Sequence, residues 1–198
     1  PAPRGRLVSP LVVALWMGSI LGYLYVDQVS RRYFEKRVAA VPIILRGETK
    51  ADYVYASYSV ALVHTLLVDH SILPEKWSFA LIDFAGILLV FLSAAWCLRR
   101  LCPHRPGPLA GLLWLAVTTP LLFRHHNYHP SDFYAVAVMF FALVAAREHR
   151  YVRLALLCLV SGLLWEKALF VPLVYFAWES RRAGVRRAAL MALPAAGT

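Results

Sequence analysis

Charge is scarce in this sequence. Asp, Glu, Lys and Arg make up 16% of its 198 residues, against about a quarter in an ordinary soluble domain, and so apolar a chain is not a disordered one. Cysteine is scarcer: three residues, too few for a disulfide framework. A glycine-rich phosphate loop, a C-x-x-C pair and a G-x-S-x-G elbow are all missing, which removes the commonest signatures of nucleotide, thiol-redox and serine-hydrolase chemistry. What the chain has in excess is apolar side chains, 60% of the total, with a mean hydropathy of +0.59. A soluble protein of that composition would expose large apolar patches. The fold class expected is therefore all-α, a polytopic bundle of transmembrane helices.

The 21 basic residues outnumber 11 acidic ones, for a net charge of +10. Such a balance alone would suit nucleic acid, but its placement does not. The arginines fall in short clusters between apolar runs: Arg4 and Arg6; Arg99, Arg100 and Arg105; Arg147, Arg150 and Arg153; Arg181, Arg182, Arg186 and Arg187. That is the spacing of cytoplasmic loops under the positive-inside rule, with the lipid bilayer as partner and no nucleic acid. Cys97 and Cys102 lie at a basic end and Cys158 inside an apolar run, so all three are expected to be reduced and inert.

Leu7–Val26 is long enough to span once, and no small-residue cleavage site follows it as it would a signal peptide. Residues 27–74 then read as an outer loop with juxtamembrane helices. In Asp27–Lys50, Val29, Tyr33, Phe34, Val38 and Val41 recur at helical spacing. That predicts an interfacial helix with Arg31, Arg32, Lys36 and Arg37 on its wetter side. Ala51–Asp69 reads as a partly exposed helix beside the membrane. Spans are expected over 75–98, 109–123 and 133–146, joined by the 103–108 loop and an outer loop at Arg124–Asp132 (R-H-H-N-Y-H-P-S-D). Val152–Trp178 lies between two arginine clusters, and a re-entrant hairpin with its apex at Trp165-Glu166-Lys167 satisfies the charge rule. An apolar run near Ala188 is cut short at Thr198. Residues 1–198 are thus expected to form a single transmembrane domain, a fragment of a longer membrane protein.

Ionisable groups at membrane depth are costly and are candidate functional residues by default. Asp52 opens the tyrosine-rich helix Y-V-Y-A-S-Y-S, and Asp132 opens another helix in H-P-S-D-F-Y. Helix capping explains each singly. Presented together from two outer loops, they could hold a divalent cation or divide base and metal roles. His125, His126 and His129 form H-H-x-x-H without the Glu of a zinc protease. Hydrogen bonding to a phosphate headgroup beside Arg124 suits them better. Glu166 and Lys167 pair with each other or contact a phosphate, and Asp83, inside a span, bonds a neighbouring helix.

These segments together resemble the GT-C superfamily of membrane glycosyltransferases. The resemblance rests on an N-terminal helix with a long outer loop, on A-D-Y-V-Y-A-S-Y led by Asp52, and on H-P-S-D-F-Y-A-V-A-V-M-F-F-A-L carrying Asp132. A basic turn R-E-H-R-Y-V-R follows, then L-A-L-L-C-L-V-S-G-L-L-W-E-K-A-L-F-V-P-L-V-Y, similar to the family's G-L-a-x-x-t-K-x-x-x-l-x-P segment. The paired acids of the family's first outer loop correspond to the separated Glu48 and Asp52. The resemblance implies inverting sugar transfer from a polyprenyl-phosphate carrier to an acceptor glycan, lipid or protein, at the extracytoplasmic face of a bacterial inner membrane. Asp52 is then the general base, while Asp132 orients the acceptor or holds Mg²⁺ or Mn²⁺ jointly with it. Glu48, Arg124, His125, His126, His129, Glu166 and Lys167 surround the substrate and its phosphate. Half of a transporter and a non-catalytic membrane assembly subunit are the alternatives.

Overall fold

The computed structural model describes residues 9–48, 51–102, 106–123 and 130–164, together with 176, 180 and 184. Every regular element among them is helical. Helix α1 (Pro10–Tyr25) passes through one π turn (Val26–Ser30) into α2 (Arg31–Leu45). Then come α3 (Ala51–Asp69), α4 (Glu75–Leu101), α5 (Gly107–Phe123), α6 (Pro130–Arg147) and α7 (Tyr151–Leu164). Local chemistry explains several boundaries. Pro10 and Pro130 occupy first helical positions, where the missing N–H costs nothing. In α4, Glu75 sits in the first turn and Arg99 and Arg100 in the last, each complementing the helix dipole.

The sequence suggests a boundary near Asp27, but the helix does not break there. Residues 31–45 hold no glycine, and Pro42 is near the end, so nothing stops helix propagation after the π turn. Two helices, Pro10–Leu45 and Glu75–Leu101, are long and apolar enough to cross a membrane. Tyr58–Asp69 and Gly107–Leu121 are apolar but shorter. Large apolar side chains face outward, among them Trp16, Ile20 and Tyr23 on α1 and Trp114, Val117 and Leu121 on α5. At about 25 cal/mol per Å² of apolar surface, such a wall is unfavourable in water and neutral against lipid.

Inside, α4 is the central helix. Ala14, Gly18 and Gly22, spaced four apart, form the buried stripe of α1. A Cβ on Gly18 would stand 3.2 Å from Phe91 Cβ, and one on Gly22 2.9 Å from the Phe84 ring. Small residues let the two backbones approach. The order of these contacts makes α1 antiparallel to α4. Helix α6 runs parallel to α4: Gly86 faces Phe133 and Tyr134, Trp96 packs on Phe141, and Arg100 pairs with Glu148 at 2.7 Å. Leu154 and Cys158 of α7 pack on Ala142 and Ala145 of α6.

The two ends of the bundle therefore differ. One gathers Arg99, Arg100, Arg147 and Arg150. There Arg147 donates to the carbonyl of Leu101 at 2.7 Å, satisfying the end of α4, and Glu148 bridges Arg100 and Arg150. The other end holds the π turn, the start of α4 and the start of α6. Of the hairpin expected over 152–178, residues 152–164 lie within α7, and the apex at Trp165-Glu166-Lys167 lies outside the described residues.

The close approach of α4 to α6 gives a direct test. A Cβ on Gly86 would meet Phe133 Cβ at 3.0 Å and the Tyr134 ring at 3.2 Å. Gly86→Val is expected to cost about 1–3 kcal/mol through overpacking, read as a lowered thermal midpoint of the purified protein in detergent. An unchanged midpoint would mean that α4 and α6 do not meet there.

Candidate functional site

At the end away from the arginine clamp, a carboxylate is completely enclosed. Asp83, on the third turn of α4, has 0% of its surface exposed. Its cation comes from α2: Arg37 Nη1 donates to Asp83 Oδ2 at 2.6 Å, with 15% of the Arg37 side chain exposed. Ser30 Oγ donates to the same Oδ2, and Arg37 Nη2 reaches the hydroxyl of buried Tyr25 at 3.5 Å. Oδ1 of Asp83 receives no hydrogen bond among the described residues.

The π turn makes this possible. Its wider turn brings residues five apart closer to alignment than an α-helix does, so Tyr25 and Ser30 both face α4. Beyond it the ordinary period resumes, and Phe34, Arg37, Val38 and Val41 continue the same face. Phe34, Val38 and Val41 pack with Val60, Phe79 and Ile82. The Arg37 guanidinium lies 5.7 Å from the centroid of Phe79. Phe79 in turn stacks on His64 at 4.0 Å, whose Nδ1 is 2.9 Å from Ser78 Oγ. Burial holds the His64 imidazole below its ordinary pKa, favouring the neutral ring.

Helix α6 brings a second carboxylate to this place. Phe133 meets Tyr25 edge to face at 5.0 Å, and Tyr134 donates to the carbonyl of Ile82, next to Asp83, at 2.7 Å. Asp132, directly before them, is half-buried with its Oδ1 enclosed. The sequence suggests that Pro130 stands before the helix and that Ser131 or Asp132 caps it. Instead the helix begins at Pro130, and Asp132 lies within the first turn, where the dipole still favours it.

The other expected residues fall as follows. Glu48 is exposed at the end of α2 and pairs with Arg46 at 2.9 Å. Asp52 is the second residue of α3, its side chain outside the described part. Arg124, His125, His126, His129, Glu166 and Lys167 lie outside the described residues. No three His, Cys, Asp or Glu side chains form a metal-ligand group among the described residues. Arg37 is a correction: the wetter side expected for it is wrong, because it turns inward to Asp83. The signal was present, since Arg37 sits between Phe34 and Val41 on the apolar stripe. Its charge, rather than its position, suggested water.

No protein-family model matches this chain, and no curated protein and no solved structure matches it.

The pair makes an asymmetric prediction. Arg37→Met or Asp83→Leu alone strands a buried charge and is expected to destabilise by about 3–5 kcal/mol, whereas the double replacement is nearly neutral. A double-mutant cycle on thermal unfolding in detergent measures this coupling. Additive losses would show that the two side chains do not meet.

Proposed function

We propose that this chain forms the membrane part of a GT-C-type glycosyltransferase. In this reading it transfers a sugar from a polyprenyl-phosphate carrier to an acceptor hydroxyl. The observation that carries the reading is convergence at one end of the bundle. The Arg37–Asp83 pair between α2 and α4 gathers at Tyr25, and α6 brings Phe133 against Tyr25 with Asp132 directly before it, at the end opposite the Arg99–Arg100–Arg147–Arg150 cluster. Under the positive-inside rule the Arg99–Arg100–Arg147–Arg150 end faces the cytoplasm of a bacterial inner membrane, and the end holding Asp83 and Asp132 opens to the extracytoplasmic side.

Asp52 accepts the proton of the acceptor hydroxyl as general base. The freed oxygen attacks the anomeric carbon, and the bond from that carbon to the phosphate oxygen breaks with inversion. Polyprenyl phosphate leaves with the electron pair. Arg124, His125, His126 and Lys167 neutralise the charge growing on the leaving phosphate, with Glu48, His129 and Glu166 around them, and Asp132 orients the acceptor. The lipid tail reaches such a site from the bilayer between helices, which accounts for placing the chemistry at the membrane boundary. The Arg37–Asp83 pair positions: it fixes α2 against α4 beneath the reacting groups.

The test uses the full-length protein in liposomes, supplied in turn with undecaprenyl-phosphate-linked hexoses and pentoses and a mixed acceptor extract, with release of undecaprenyl phosphate as readout. Release is expected with one donor, and Asp52→Asn is expected to lower the rate by about 10²–10⁴. Absence of release from every donor, or an Asp52→Asn rate equal to wild type, contradicts the proposal.

A further inference from the structure

The outward face of α2 carries charge that the buried pair does not use. Four basic residues, Arg31, Arg32, Lys36 and Arg37, lie within two turns of helix. Arg37 is spent on Asp83, and Arg31 pairs with Asp27 at 2.6 Å. Arg32 and Lys36 are both exposed and have no carboxylate partner among the described residues. Each instead lies 5.9 Å from the centroid of the Tyr33 ring. One aromatic ring thus gathers two unpaired cations four residues apart on one helix face, a like-charge arrangement that a shared anion relieves.

The depth of these residues follows from the continuity of α1 and α2. Arg31 comes twenty-one residues after Pro10. At 1.5 Å per residue that is about 32 Å along the helix, just past a hydrocarbon core of about 30 Å. Arg32 and Lys36 then sit in the headgroup layer. The start of α4 marks the same boundary independently, since Lys76 precedes a half-exposed Trp77, and Trp and Lys gather at this level. The cations also lie at the end of the bundle opposite the main arginine clamp, where the positive-inside rule gives no reason for them.

We infer that Arg32 and Lys36, bracketing Tyr33, dock the phosphate headgroup of an anionic phospholipid against the outer face of α2. The bound lipid neutralises the two cations and holds α2 at the membrane surface, while Phe34, Val38 and Val41 anchor the helix from the other side. The inference rests on the membrane placement of α1 and α2, and sugar transfer plays no part in it.

The test places the full-length protein in nanodiscs containing a photo-activatable phosphatidylglycerol or, separately, the matching phosphatidylcholine. Adducts are then mapped by peptide mass spectrometry. Phosphatidylglycerol is expected to label residues 27–45 in preference to phosphatidylcholine. The Arg32→Gln/Lys36→Gln double variant is expected to lose that preference, a change of about 30-fold for two cations at an anionic surface. Because the variant leaves Arg37 and Asp83 in place, its thermal midpoint should match wild type, separating lost lipid from lost fold. Equal labelling by the two lipids in wild type, or an unchanged preference in the double variant, overturns the proposal. Displacement of the label by inorganic phosphate in the buffer would also overturn it, in favour of a soluble phosphate ion. None of these outcomes depends on glycosyltransferase activity.

Discussion

A carboxylate with no exposed surface needs a cation, and here the cation must come from another helix. The α4 residue that carries it, Asp83, lies in a segment apolar enough to cross a membrane. An unpaired charge there is among the costliest features a helical protein can carry. Arg37 answers it from α2, and Ser30 adds a second donor from the π turn. Both depend on α1 and α2 being one helix of altered phase. With ordinary α geometry through Val26–Ser30, Ser30 and Arg37 would be rotated away from the face that Tyr25 presents. The wide turn is therefore explained by the ion pair it permits.

From that pair the asymmetry of the molecule follows. At the arginine-rich end, α4 and α6 are joined by side chains at their exposed tips, Arg100 to Glu148 and Arg147 to the last carbonyls of α4. Such contacts are screened and individually weak. At the other end the joins are buried: Arg37 to Asp83, Tyr134 to the Ile82 carbonyl, Phe133 against Tyr25. The enclosed polar groups are concentrated where Asp132 enters. Membrane proteins that act on polar substrates keep ionisable side chains in such places, facing the protein interior. The glycosyl-transfer reading draws its physical support from this concentration, and its chemical detail from the resemblance of the sequence segments.

Much of the helical layout was legible from apolar runs and their punctuation. Leu7–Val26 anticipates α1, and 75–98 anticipates α4 to within three residues of its end. Pro130 and the arginine turn at 147–150 bracket α6. Asp83 could be expected to bond a neighbouring helix because hydrocarbon offers it nothing else. Its partner was not legible. Helical periodicity puts Arg37 on the buried stripe, but its charge argues for water, and only the position of α4 decides between them. The π turn is invisible for a similar reason, since no residue in V-D-Q-V-S demands it. The packing of Phe133, the residue after Asp132, on Tyr25 joins residues more than a hundred positions apart, which no local pattern encodes.

An experimental map of the full-length protein in a lipid nanodisc tests the central claim most directly. The account predicts the Arg37 guanidinium within hydrogen-bonding distance of Asp83 inside the bundle, with an unbroken helix through Val26–Ser30 and Asp132 at the same end. Asp83 facing lipid, Arg37 facing solvent, or Asp132 at the arginine-rich end would contradict it.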